Sequence, residues 1–282
     1  MKRARPGLTL VELLIVIAVI AVLISLVAPA VFYARILSTQ VTSKNNLFSL
    51  CLASQQRSDL HHGQLPTCIH DPSDRDTLAT VHYSLLLYLD GGEVYSKHLF
   101  DTNYYPSGYS FPAFVNPADF TLSLIDHSRV CSYPANAQVF GRKANLNGSF
   151  SDGTSRTVLF SEHYAYCKNV LFHYNSNQYI SEGVSFRRST FADGGIPGFS
   201  TYGDVYPVPF SSAQGTMPSV SGKTFQVRPS VADCDPTIPQ TPHSALLCGF
   251  ADGSVRTVSH SVSENVFWSA ITMNGSEAAS LD

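Results

Sequence analysis

From Leu13 to Val31, nineteen consecutive positions are apolar apart from Ser25 and Pro29. At about 1.5 Å per residue, a helix of that length spans roughly 28 Å, close to the thickness of a hydrocarbon core. Glu12 stands at its start, and no other charge follows until Arg35. Lys2, Arg3 and Arg5 precede it and predict a cytoplasmic N-terminus. Everything after Phe32 is then expected to face away from the cytoplasm. Pro29 predicts a kink or loosening late in the helix.

Beyond Tyr33 the chain turns polar, yet no Pro or Gly interrupts it as far as Leu60. Leu37, Val41, Phe48 and Cys51 recur at helical spacing, with Leu47 and Leu50 beside them. The pattern predicts that the membrane helix continues as an amphipathic one with its apolar face on a globular part. His61-His62-Gly63 and Pro66 end it. The histidine pair beside Asp59 offers metal donors, but such a pair at a helix end is more often solvated.

The remaining elements are short. Val81 to Leu89 is an apolar run closed by Gly91-Gly92, either a short helix or a buried strand. Tyr104 to Asp119, rich in aromatics, Pro and Gly, reads as ordered loop. Asp152-Gly153 predicts a tight turn with positive φ at the glycine, and Thr157 to Phe160 a strand. Residues 168–240 predict irregular loops and short strands without a core of their own. Leu246 to Ala251 and Val255 to Ser259 predict a hairpin turning at Asp252-Gly253. Val266, Trp268 and Ile271 predict a last short helix before an acidic tail.

Composition narrows the function. A net charge of −3 and a pI near 6.3 give no basic field for nucleic acid. The six cysteines show no zinc-type spacing and no CxxC pair. Outside the cytoplasm they permit up to three disulfides, with the pairing open; buried thiols are the competing expectation. No G-x-S-x-G and no EF-hand spacing is present, so no catalytic constellation, cofactor or metal site is predicted. Glu162 with Asp152 suggests a carboxylate pair or calcium site, against a plain Asx turn and a strand-end acid. His243 near Asp252 suggests a charged pair fixing the hairpin. The many Tyr and Phe offer a glycan- or protein-binding surface, or simply a buried aromatic core.

Three explanations compete for the N-terminus. Ala28-Pro29-Ala30 mimics a secretory cleavage site, though the apolar run is longer than such signals need. A plain signal anchor leaves Glu12 without a purpose. The third is a basic leader cut after Gly7, freeing the amine of Leu8. A carboxylate in lipid needs a partner, and that amine on a neighbouring subunit supplies one. Pro6-Gly7-Leu8-Thr9-Leu10-Val11-Glu12 resembles the cleavage and methylation motif of type IV pilins and type II secretion pseudopilins, with Leu8 in place of the usual Phe.

Further segments resemble a large planctomycete-type group of pilin-like proteins that carry a domain of unknown function. Lys44-Asn45-Asn46-Leu47 is similar to its K-N-N-L helix, and Leu85 to Tyr95 to its L-L-P-Y-L-E-Q segment, with Leu87 replacing Pro. Pro112 to Asp119 resembles P-x-F-x-C-P-S-D, but Asn116 replaces the cysteine and excludes a disulfide there. Ser132 to Gly141 resembles a segment expected to cross the sheet as a strand. Asp152-Gly153 through Glu162 resembles the D-G-T-S…E hallmark. His243 with Asp252-Gly253 resembles the H-X9-DG processing-associated signature, with eight intervening residues in this copy.

The resemblance implies an α+β pilin-like fold, a long N-terminal helix packed on an antiparallel sheet. The expected organisation is a leader at 1–7, a transmembrane and assembly helix at 8–32, its amphipathic continuation at 33–62, and a β-rich head at 63–282. Implied partners are prepilin peptidase, which also methylates Leu8, the lipid bilayer, and other pilin-like subunits, copies of itself included. Implied location is a single-pass inner-membrane protein with its head in the periplasm or outside the cell. The alternative is a membrane-tethered binding protein that grips a glycan or protein with aromatic loops.

Overall fold

The structure is a computed structural model and describes residues 9–68, 80–100, 108–141, 144–174, 179–181, 184–192, 223–274 and 281. Gly7, Leu8, the basic leader, Tyr104 to Pro106 and most of the acidic tail lie outside the described residues. The chain divides into two compact units, Met1–Val41 and Thr42–Asp282.

Helix α1, Leu10–Leu60, runs 51 residues without a break. Its first half exposes large apolar side chains on every side, from Leu10 to Val41. That is the pattern of a helix made for lipid. Among the described residues α1 is the one helix long and apolar enough to cross a membrane. It passes through Pro29, where a kink was expected. The proline removes one backbone donor, and membrane helices accommodate that loss through local adjustments.

In the second unit, α1 buries Ser43, Leu47, Leu50, Cys51, Ala53, Ser54, Arg57 and Ser58. This corrects the predicted stripe. Leu47, Leu50 and Cys51 are buried, but Leu37, Val41 and Phe48 stay 60%, 57% and 50% exposed. The true stripe is lined with small residues at the 3–4 spacing, so backbones come close. Gly249 shows how close: a Cβ there would lie 2.5 Å from Cys51 Sγ. The helix ends where His62 (φ 56°) and Gly63 (φ 89°) turn left-handed, and the Gly63 N–H donates to Ser58 C=O at 2.8 Å. His62 thus serves a chain reversal.

The run from Val81 becomes helix α2, Val81–Leu85, with Thr80 capping it and one 3₁₀ turn following. A third helix, α3 (Gly92–Phe100), starts where only a turn was predicted.

The main sheet is mixed. Its strands are β1 (Ala135–Asn136), β2 (Val158–Ser161), β7 (Thr190–Phe191), β10 (Leu246–Phe250) and β11 (Val255–Val258), in the order β11-β10-β2-β1-β7. All neighbours are antiparallel except β1 and β7, which run parallel. The expected hairpin is there, with Leu246 opposite Val258 and Gly249 opposite Val255. Alternation along β10 sends Leu247 to the α1 side and Leu246, Cys248 and Phe250 to the other side. On that second side Phe267 and Trp268 of α5 (Glu264–Ser269) complete the core.

β1 is only two residues long, where a full crossing strand was predicted. Asn136 is the reason. Its Oδ1 accepts the Gln138 N–H at 3.0 Å and starts helix α4, Ala137–Phe140. Its Nδ2 donates to the carbonyls of Val158 and Ile271, both at 2.7 Å.

Of the stretch 168–240, residues 175–178, 182–183 and 193–222 lie outside the described residues; the described ones include the predicted short strands, gathered into sheets. Strands β3 (Tyr166–Cys167), β4 (Val170–His173), β5 (Tyr179–Ser181) and β6 (Val184–Arg188) form a second sheet in the order β3-β4-β6-β5. Parallel β8 (Gln226–Val227) and β9 (Gln240–Thr241) form a third. Cys167 and Cys234 join as a disulfide across 67 residues and sit in a small cluster with Val170 and Phe172. Cys51, Cys131 and Cys248 are free and buried, and Cys68 is buried as well. Ten of the eleven aromatic rings among the largest fully buried side chains are Tyr or Phe, the eleventh being Trp268, so burial accounts for much of the aromatic content.

Candidate functional site

The N-terminal motif meets the described structure at Thr9. The carboxylate of Glu12 accepts from the Thr9 backbone N–H at 2.8 Å and from the Thr9 hydroxyl at 2.9 Å. In return the Glu12 N–H donates to Thr9 Oγ1 at 3.3 Å. This is a capping box, T-x-x-E, which satisfies donors that a helix start leaves open. Sequence inspection assigned Glu12 to a neighbour's amine and missed this local role, although the spacing of Thr9 and Glu12 announces it. Gly7 and Leu8 lie outside the described residues.

In the head, the structure separates most of the residues the sequence grouped together. Glu162 is a strand-end acid, as one of the two readings had it, but with its side chain turned inward. It is fully buried just after β2. Ser43 Oγ and Asn116 Nδ2 donate to its Oε1 at 2.7 and 3.0 Å. Thr241 Oγ1 and the Leu247 N–H donate to its Oε2 at 2.6 and 3.2 Å. One carboxyl group therefore ties together α1, the loop at Asn116, β9 and β10. Burial pushes its acidity to about 7, against the pull of those four donors.

Asp152 does not join Glu162. It lies in the turn before β2, where its N–H donates to Met273 C=O at 3.4 Å and Gly153 takes φ 95° as predicted. His243 lies beside Glu162, not Asp252: its Nε2 is 3.7 Å from Glu162 Oε1, too long for a hydrogen bond. Desolvation lowers the basicity of His243. Burial thus favours the uncharged form of each group. Asp252 instead sits 3.6 Å from Arg256 and holds the hairpin turn, its Oδ1 accepting the Ser254 N–H at 2.9 Å. Gly253 takes φ 87° and packs against Gln55, whose Nε2 donates to Ala251 C=O at 3.0 Å.

A second buried acid was noticed only as part of a motif. Asp119 accepts from the Thr121 N–H and hydroxyl, Ser132 Oγ and the Ala165 N–H, at 2.6 to 3.0 Å. Desolvation raises its pKa. Both acids bind parts of the fold far apart in sequence, which makes them structural knots. Among the described residues no group of three His, Cys, Asp or Glu is placed to hold a metal ion.

Residues 2–28 match the family model described as the prokaryotic N-terminal methylation motif. Neither the curated proteins nor the solved structures searched gave a match to the chain. The chain thus carries a prepilin-type methylation motif running into an apolar helix of membrane-crossing length.

Proposed function

We propose that this chain is a pilin-like structural subunit, a pseudopilin or minor pilin. Prepilin peptidase cuts it between Gly7 and Leu8 and methylates the new Leu8 amine. Residues 8–32 then hold it in the inner membrane and residues 63–282 form a head outside the cytoplasm. The product is competent to join other pilin-like subunits in a type IV pilus or a type II secretion-like assembly. The observation that carries this reading is the methylation motif over residues 2–28, continuous with an exposed apolar helix from Leu10. The Cys167–Cys234 disulfide supports an oxidising location for the head.

Glu12 is the assembly residue in this reading. In the single chain its carboxylate is held by Thr9. In an assembly it exchanges part of that cap for the methylated amine of a neighbour, a pair strengthened by the low dielectric of lipid. A structural role, not catalysis, is what the motif supports.

Mass spectrometry of the membrane-extracted protein tests the processing. The expected N-terminus is a methylated Leu8. A chain beginning at Val31 overturns the reading in favour of an ordinary signal peptide. Site-specific crosslinking from positions flanking Glu12 in cells tests the assembly, with pilin-like neighbours as the expected product.

A further inference from the structure

The second unit contains a cleft lined in part by Arg129, whose Nε has no hydrogen-bond partner among the described residues. Its volume is about 390 Å³, and its lining includes Leu124, Ile125, Arg129, Tyr166, Leu171 and His173. Three of these give it apolar walls. Arg129 gives it a charge. The backbone of Arg129 is pinned on both sides: its N–H donates to Tyr109 C=O at 3.0 Å, and its C=O accepts the Tyr174 N–H at 2.9 Å. Between those bonds the residue takes φ 70°, an uncommon conformation for a side chain of this size.

The guanidinium Nε is buried and has no hydrogen-bond partner. A buried donor left without a hydrogen bond is unfavourable. Asp126, also on the cleft wall, attracts Arg129 electrostatically but makes no hydrogen bond to its Nε. That carboxylate is already committed to Ser128, accepting its N–H at 3.0 Å and its hydroxyl at 2.7 Å. His173, 1% exposed, closes the inner end. The Tyr166 hydroxyl donates to Asn169 Oδ1 at 3.0 Å, which leaves its oxygen able to accept.

We propose that this cleft binds a small organic monocarboxylate, its charged end on Arg129 and its apolar body against Leu124, Ile125 and Leu171. A planar guanidinium on the cleft wall matches a planar carboxylate. The walls match an apolar body, as in most small-molecule sites, where a few polar groups set the orientation. The negative charge of Asp126 beside Arg129 disfavours a dianion, which separates this site from one for phosphate. The proposal does not depend on how the N-terminus is processed.

Calorimetric titration of the full-length protein in detergent micelles, blanked against empty micelles, tests it. The probes are isovalerate, benzoate and 4-hydroxyphenylacetate, with benzamide and inorganic phosphate as comparators. At least one carboxylate is expected to saturate a single site, with both comparators weaker by about tenfold or more. Arg129→Gln is expected to weaken the carboxylate by a similar factor at unchanged melting temperature. Ile125→Trp fills the cleft without touching the charge and is expected to block binding as well, so the test survives if the arginine variant fails to fold. Absence of binding by all three carboxylates overturns the proposal. Equal binding of benzamide, or binding that survives both substitutions, does so too.

Discussion

Two glutamates at comparable positions, each next to the boundary of a regular element, have opposite environments. Glu12 opens an exposed apolar helix and is served by Thr9, three residues away. Glu162 follows a buried strand and is served by Ser43, Asn116, Thr241 and Leu247, between 46 and 119 residues away. The first is a local device that any helix start could carry. The second exists only when four remote segments have come together, and it penalises every arrangement in which they have not. A carboxylate caps a helix in one unit and knots the fold in the other.

The sharpest way to break this contrast is Glu162→Ala. It strands four buried donors in a site without water access, and the expected cost to the head is roughly 3–5 kcal/mol. Denaturant unfolding followed by tryptophan fluorescence reads it, through the single, buried Trp268. A loss below about 1 kcal/mol would mean that Glu162 is no knot at all. Next comes the disulfide. Cys167→Ser with Cys234→Ser opens a loop of 67 residues, and chain entropy sets the loss at about 4 kcal/mol at most. Melting of the wild type with and without reductant should show the same difference.

The acid and base groups of the head sharpen the comparison through pH. Burial raises Glu162 from 4.5 to about 7, so the fold favours its protonated form. That contribution is complete below about 4.5 and is lost as pH rises to about 7. Burial lowers His82, His163 and His173 from 6.5 to about 4, so the fold favours their neutral forms. Their contribution is complete above 6.5 and is lost as pH falls toward 4. His243 is lowered likewise and Asp119 raised, so four imidazoles stand against two carboxyls and below 6.5 acid destabilises the head. Between 6.5 and 7 the Glu162 contribution continues to fall, and stability declines slightly. The melting temperature should therefore peak near pH 6.5 in a buffer series; a continuous rise toward acid would contradict the burial of the three histidines.

Smaller effects separate the helix halves. Gly249→Ala drives a Cβ to 2.5 Å from Cys51 Sγ, with an expected cost of about 1–3 kcal/mol from overpacking. Cys51→Ala in the same chain should recover part of that loss, a coupling that a double-mutant cycle measures. Thr9→Ala removes the N-cap of α1 and should cost about 1 kcal/mol of local helix stability. Hydrogen exchange at the Leu13 amide, which donates to Thr9 C=O at 3.2 Å, reports it. The head should melt unchanged.

Local pattern made the lipid-facing helix, its end at Gly63, the tight turn at Gly153 and the hairpin at Asp252-Gly253 legible. Each depends on residues within a few positions of one another: an apolar run, a glycine free to take positive φ, an alternation of period two. The amphipathic stripe was harder. Periodicity announced a buried face but selected one through Phe48, because apolar character outweighed the small serines that in fact face the sheet. The strand expected at Ser132 to Gly141 stopped at Asn136, whose side chain caps a helix and holds two remote carbonyls.

The sequence by itself determined the anchor and the motif before it, since a membrane helix is specified by composition over one contiguous stretch. Tertiary structure alone decided which cysteines pair, that Glu162 lies beside His243 and not Asp152, and that Arg129 lines a cleft. Those outcomes depend on burial, and burial is a property of segments brought together by the whole core, which no single stretch of the chain encodes.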